Sequence, residues 1–174
     1  MEMISNEEKI TQAVLVSVDT GDYDAEASLA ELKELVKSAG AEPVFTVTQN
    51  LKRPETGTYV GTGKLQEIAD ICKQQEIDLL VFDCELSPTQ IRNIEAETDT
   101  RTIDRTMLIL DIFALRARSK EGKLQVELAQ LKYLMPRLTG KGVAMSRLGG
   151  GIGTRGPGET KLETADTSAE EWKL

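Results

Sequence analysis

Between residues 13 and 103, short β-branched and aliphatic runs alternate with longer stretches of helical period, and this alternation restricts the possible folds more than any other feature. Ala13 to Val18 (AVLVSV) is the first such run. A turn-like TGDYD follows, and Ala25 to Ala39 then carries Leu29, Leu32, Leu35 and Val36 at the spacing of one helical face. Gly40 supplies a helix stop, and Pro43 to Thr48 (PVFTVT) alternates as a second strand. Residues 49–63 read as a loop and Lys64 to Gln75 as a helix. Ile77 to Phe82 (IDLLVF) reads as a strand without alternation, the pattern of a parallel sheet covered on both faces. Ser87-Pro88-Thr89-Gln90 combines a cap residue, a proline at the first helical position and Gln three residues after the cap, which predicts a helix to about Glu97. Arg101 to Ile103 adds a short strand. The expected fold is therefore α/β, a small four-stranded parallel sheet with flanking helices, over residues 1–104.

The chain has 174 residues, room for one domain or a small domain with an appendage, and 40% apolar residues suffice for a core. Histidine is absent, which removes Ser-His and Cys-His nucleophile pairs, imidazole bases and the commonest zinc ligand. No catalytic or metal-ligating residue is assigned. Cys72 and Cys84 have neither disulfide-framework nor metal-pair spacing, and each lies in an apolar stretch, so they read as buried reduced thiols. The N-terminal MEMISNEEKI is acidic and has no apolar core, unlike a signal peptide. The longest apolar run, Met107 to Leu115, is broken by Asp111. A soluble, cytoplasmic protein without membrane contact is expected.

The formal charge of −8 argues on average against a nucleic-acid partner, but the charge is unevenly divided. Residues 1–100 carry 8 Lys/Arg against 20 Asp/Glu, whereas residues 101–161 carry 12 against 5. An acidic front followed by a basic stretch suits a molecule of which one end meets a polyanion.

Carboxyl ends of parallel strands are where ligands sit in such sheets, and here they offer Asp19, Asp83 and Glu85. Without histidine or a second cluster, these read as solvated loop ends or caps rather than catalysts. Gly61-Thr62-Gly63-Lys64 resembles the end of a phosphate loop, yet Thr58 stands where the first glycine belongs and Leu65 where the hydroxyl residue belongs. A weak anion site at a helix start and a plain tight turn both remain open.

From Arg105 the period changes, and residues 105–174 are expected to form a helical hairpin. MLILDIFALRA is a helical apolar segment. After a break near Ser119, Leu124, Leu128, Leu131, Met135 and Leu138 recur at heptad spacing. The expected partner carries Leu162, Ala165, Ala169 and Trp172, which leaves residues 139–158 as the tip. An uncovered seam of this kind also favours self-association.

The tip, TGKGVAMSRLGGGIGTRGPG, holds 8 of the 14 glycines, with Arg147 and Arg155 among them, Lys141 near its start and Lys161 just beyond it. A flexible linker is one reading. Irregularly placed arginines, Leu, Ile and Pro favour the other, in which bare backbone approaches phosphates and sugars while arginine forks or stacks onto them. The formal G-x-G-x-x-G at Gly151, Gly153 and Gly156 lacks the preceding strand and following helix of a dinucleotide site, and Pro157 interrupts it.

The stretches LILDIFALRARSKEGKLQVELAQLKYLMPRL and SRLGGGIGTRGPGETKLE closely resemble the HflX family of translational GTPases, and GTGKLQEI in the front half fits too. The resemblance extends to about Glu163. It implies an N-terminal α/β domain, a helical hairpin and then a GTPase domain that would bind GTP and magnesium. It also implies that the module binds the large ribosomal subunit, reaching 23S-type rRNA near the peptidyl-transferase centre, in the splitting and rescue of stalled or idle ribosomes under stress. The positions matching the family's loop are Arg147, Gly149, Gly150, Gly151, Gly153, Thr154, Arg155, Gly156 and Gly158.

This chain contains no Walker A loop, D-x-x-G or N-K-x-D, and ends in TADTSAEEWKL where the family continues into a basic helix. The expectation is an isolated N-terminal region whose GTPase domain normally lies in cis, with no cofactor of its own. Two other functions remain open: an ATP-binding domain built on Lys64 and the strand-end carboxylates, and a domain that only regulates the GTPase.

Overall fold

The computed structural model describes residues 8–138. The order is β1 (Gln12–Asp19), α1 (Ala25–Ser38), β2 (Glu42–Asn50), α2 (Thr62–Gln74), β3 (Leu79–Phe82), α3 (Pro88–Thr98), β4 (Arg101–Asp104), α4 (Arg105–Arg116) and α5 (Lys120–Leu134). A 3-10 turn, Met135–Arg137, follows α5.

The four strands form one parallel sheet in the order β2-β1-β3-β4. β1 and β3 are central, and their residues Ala13 to Val16 and Leu79 to Phe82 are all 0–1% exposed. Side chains buried on both faces explain why these strands show no polar alternation. The chain moves outward to β2 after β1 and in the opposite direction to β4 after β3. Right-handed crossovers then put α1 on one face of the sheet and α2 with α3 on the other. α4 packs beside α1 and α2 beside α3, completing both layers. Leu32 and Val36 of α1, Leu65 and Ile68 of α2, Ile91 and Ile94 of α3, and Leu108 and Ile112 of α4 cover the strands. Each such side chain contributes about 1.5–3 kcal/mol through removal from water.

Local chemistry sets the element ends. Asp24 caps α1 by accepting from the Ala27 amide at 3.0 Å, and Gly40, with φ of +88°, takes the chain out in the left-handed conformation. Ser87 and Gln90 form the expected capping box with Pro88 in the first turn of α3. Ser119 caps α5 through the Gly122 amide. β2 is an outer strand that contains Pro43, and its pairing with β1 skips one residue, Ala13 facing Pro43 and Val14 facing Phe45.

Two expectations need correction. The heptad stretch does not run as a continuous helix to Leu138, because Pro136 lacks an amide hydrogen and the backbone tightens into the 3-10 turn after Leu134. Asp83 is not a solvated strand end, since its side chain is fully buried and ion-paired. The expected partner helix and the tip, residues 139–158, lie outside the described residues. Within residues 8–138, α5 folds back along α4, leaving Leu124, Leu128 and Met135 exposed.

Candidate functional site

The stretch singled out by sequence begins just after Leu138, the last described residue. Lys141, Arg147, Gly149, Gly150, Gly151, Gly153, Thr154, Arg155, Gly156, Gly158 and Lys161 all lie outside the described residues. Their approach runs through the end of α5, which is tied to the carboxyl edge of the sheet.

Asp104 ends β4 and caps α4, and is fully buried. Its Oδ1 accepts from the Met107 amide at 2.9 Å, and its Oδ2 accepts from the Leu86 amide at 2.9 Å and from the Tyr133 hydroxyl at 2.5 Å. A carboxylate holding three donors joins the β3–α3 loop, the start of α4 and the last turn of α5 at one point. Burial pushes the Tyr133 phenol above its ordinary range, and its hydrogen bond to Asp104 adds to that rise. Arg137 completes the junction. Its Nε donates to the Leu86 carbonyl at 3.1 Å, Nη1 donates to the Tyr133 carbonyl at 3.1 Å, and its guanidinium lies 3.7 Å from the centre of the Tyr133 ring.

Arg105, the residue after Asp104, opens α4 and ties the end of β3 to α1. Arg105 Nη1 lies 2.7 Å from Asp83 Oδ1 and Nη2 lies 2.7 Å from Glu31 Oε1; Nη1 also reaches Ser28. Burial works against the charge on Arg105, but its hydrogen bond to Asp83 and the charges of Asp83 and Glu31 hold its pKa above the usual value. Asp19 accepts from the Gly21 amide at 2.9 Å, Glu85 is exposed, and the Tyr23 hydroxyl donates to the Val18 carbonyl. The three strand-end carboxylates thus serve as a turn acceptor, an ion-pair partner and a surface group, and are not gathered on one ligand.

Cys72 is buried and Cys84 is half-buried, both as free thiols. Burial raises the pKa of each, more strongly at Cys84, which favours the protonated thiol.

The turn after β2 has protein partners of its own. The Gly61 amide, which a phosphate cradle would need free, donates to Gln49 Oε1 at 2.9 Å, and Lys64 Nζ pairs with Glu67 at 3.0 Å. The preceding loop is closed by the Glu55–Tyr59 bridge and held by α3, with Gln90 donating to the Glu55 carbonyl and Asn93 to the Gly57 carbonyl. This is a packed turn at the start of α2. Among the described residues, no group of three or more His, Cys, Asp or Glu is placed to hold a metal. Nor is any helix among them long and apolar enough to cross a membrane.

Asp104, Tyr133 and Arg137 were not singled out from sequence. Aspartate directly before a helical period is a cap signal and marks Asp104 in retrospect. No local pattern links it to a tyrosine 29 positions away.

The comparisons with known proteins agree with this architecture. The profile of the GTP-binding GTPase N-terminal family matches residues 26–114, and that of the GTP-binding GTPase middle region matches residues 116–171. The chain is 56% identical over 157 residues to GTPase HflX of Alkalihalophilus pseudofirmus, covering 89% of this chain and 37% of that protein. It is 52% identical over 154 residues to GTPase HflX of Escherichia coli, covering 88% and 36%. Among solved structures it is similar to a GTP-binding protein from the hyperthermophilic archaeon Sulfolobus solfataricus in complex with GDP, with a TM-score of 0.56 and 26% identity over 94% of this chain and 45% of that one. The chain thus spans little more than a third of the curated relatives it matches. Two adjoining family profiles, identity above one half to curated relatives and the four-stranded parallel sheet lead to one assignment: the chain belongs to the HflX family of GTP-binding proteins and corresponds to its N-terminal and middle regions.

Proposed function

We propose that this chain is the ribosome-binding part of an HflX-type GTPase, and that its glycine- and arginine-rich stretch contacts large-subunit rRNA near the peptidyl-transferase centre during ribosome splitting and rescue in the cytoplasm. The observation that carries the reading is the concentration of 8 of 14 glycines between residues 139 and 158, together with Arg147 and Arg155, in the basic part of an otherwise acidic chain. Glycine backbone approaches a sugar–phosphate surface closely, and arginine supplies planar donors for phosphate and faces for stacking. The acidic α/β layer stays off the polyanion and carries the basic stretch toward it. On this reading GTP and magnesium bind through the GTPase domain that the resemblance implies; this chain lacks the GTPase motifs, and at its Gly61–Lys64 turn the Gly61 amide donates to Gln49 and Lys64 pairs with Glu67.

The test is co-sedimentation of the chain with purified large ribosomal subunits over a series of salt concentrations. Binding should weaken linearly on a log–log plot, and Arg147→Ala with Arg155→Ala should lower affinity by about tenfold or more and flatten the slope by about two phosphate contacts. Equal pelleting of wild type and double variant at low and moderate salt would overturn the reading.

A further inference from the structure

We propose that Tyr133 and Arg137 are positioning residues, which lock the end of α5 onto the carboxyl edge of the sheet and so set the place and direction from which the chain enters its glycine–arginine stretch. The use of this lock for RNA contact rests on the function proposed above; the lock itself rests on the described geometry.

Three observations converge on it. First, the apolar stripe of α5 contributes little hold, for Leu124, Leu128 and Met135 are exposed against the described residues, while Tyr133 and Leu134 are the members that reach the core. Second, that one turn concentrates polar contacts to buried groups: the Tyr133 hydroxyl on Asp104 and the Arg137 guanidinium on the Leu86 carbonyl, with the guanidinium also lying over the Tyr133 ring. Third, Asp104 is not a free acceptor that a surface side chain happens to meet. It is fully buried and held by the amides of Leu86 and Met107 as well, so its position does not depend on Tyr133 alone. A donor meeting a buried carboxylate that other groups also hold has a narrow choice of geometry, and a planar guanidinium stacked on the same ring removes the remaining rotation. Leu138, whose amide donates to the Leu134 carbonyl at 2.9 Å, is thereby placed relative to the sheet only one residue before the tip begins.

The experiment compares the whole chain with Tyr133→Phe, which keeps the ring and removes only the hydroxyl, and with Arg137→Lys, which keeps charge and removes the planar fork. Amide hydrogen exchange is read over residues 130–138, and large-subunit co-sedimentation is read across salt. Expected are faster exchange in residues 130–138 with unchanged exchange in β1 and β3, and affinity reduced by about tenfold, the loss of one charge-assisted hydrogen bond. The salt slope should match wild type, because the number of phosphate contacts is the same once bound. The double arginine variant of the tip, by contrast, should flatten the slope and leave exchange in 130–138 untouched.

Unchanged exchange in both variants would overturn the lock, and faster exchange with undiminished affinity would overturn its positioning role. Faster exchange throughout β1 and β3 would show a general loss of fold and overturn it as well. If wild-type chain fails to pellet, the functional reading falls and takes the positioning role with it. The exchange data would then still report separately on the lock.

Discussion

The central strands and α5 are held by opposite means. β1 and β3 are buried residue by residue between two helical layers, so each aliphatic side chain there adds to one continuous core. α5 is as long as any helix in the described structure, yet against the described residues it has no fully buried residue; Tyr133 and Leu134 reach the core at its last turn, where polar contacts from Tyr133 and from Arg137 just beyond it add to the hold. The sheet is fixed by many interchangeable contacts, and the helix by a few specific ones. A strand interior therefore tolerates conservative repacking, while the end of α5 depends on particular atoms.

The largest expected effect tests the first half of this contrast. Leu80→Ala, in the middle of β3, should cost about 2–5 kcal/mol in chemical denaturation, against under about 1 kcal/mol for Leu128→Ala on α5. Equal losses at the two sites would mean that the face of α5 is covered in the whole chain, and the comparison would break. Asp104→Ala addresses the second half. It strands the amides of Leu86 and Met107 and releases Tyr133, for a loss of about 3 kcal/mol. Asp104→Asn, which retains an acceptor for the Met107 cap, should recover part of that loss.

Alkaline titration sharpens the contrast within the core. Burial pushes both the Cys84 thiol and the Tyr59 phenol beside it above their ordinary values of 9.0 and 10.0. Both are neutral when protonated, and the folded chain holds the proton more tightly than the unfolded chain does. The contribution of Cys84 is intact below about pH 9 and that of Tyr59 below about pH 10, and each declines as pH rises beyond that point. A melting temperature that stays level from pH 8 to 11 would contradict this. A small effect is expected at the other end of α5, where Ser119→Ala removes the cap on the Gly122 amide and should cost about 1 kcal/mol. Circular dichroism on heating would report it as earlier loss of helix.

The layered fold was legible because each strand and helix carries its own local sign. The unalternating IDLLVF run announces burial on both faces, and Ser87-Pro88-Thr89-Gln90 announces a helix start with its capping box. The seam of α5 was legible as a period, but a period does not tell where Pro136 will end the helix. The junction was not legible at all. Asp83 with Arg105 and Asp104 with Tyr133 pair residues 22 and 29 positions apart, and only the crossing of β3, β4 and α4 brings them together. For the stretch from Lys141 to Lys161, composition and resemblance carried the reading, because glycine-rich backbone has no period to betray its shape.

The irregular pairing of β2 has a consequence for the molecule among its neighbours. An outer strand nine residues long would ordinarily offer a row of open amides and carbonyls on which another copy's strand could zip. Here Pro43 withholds one donor and the skipped residue before Phe45 breaks the even rhythm of the rest, while the opposite margin, β4, is only four residues long. A crowded cell filled with these chains therefore meets poor templates for fibre growth on either flank of the sheet.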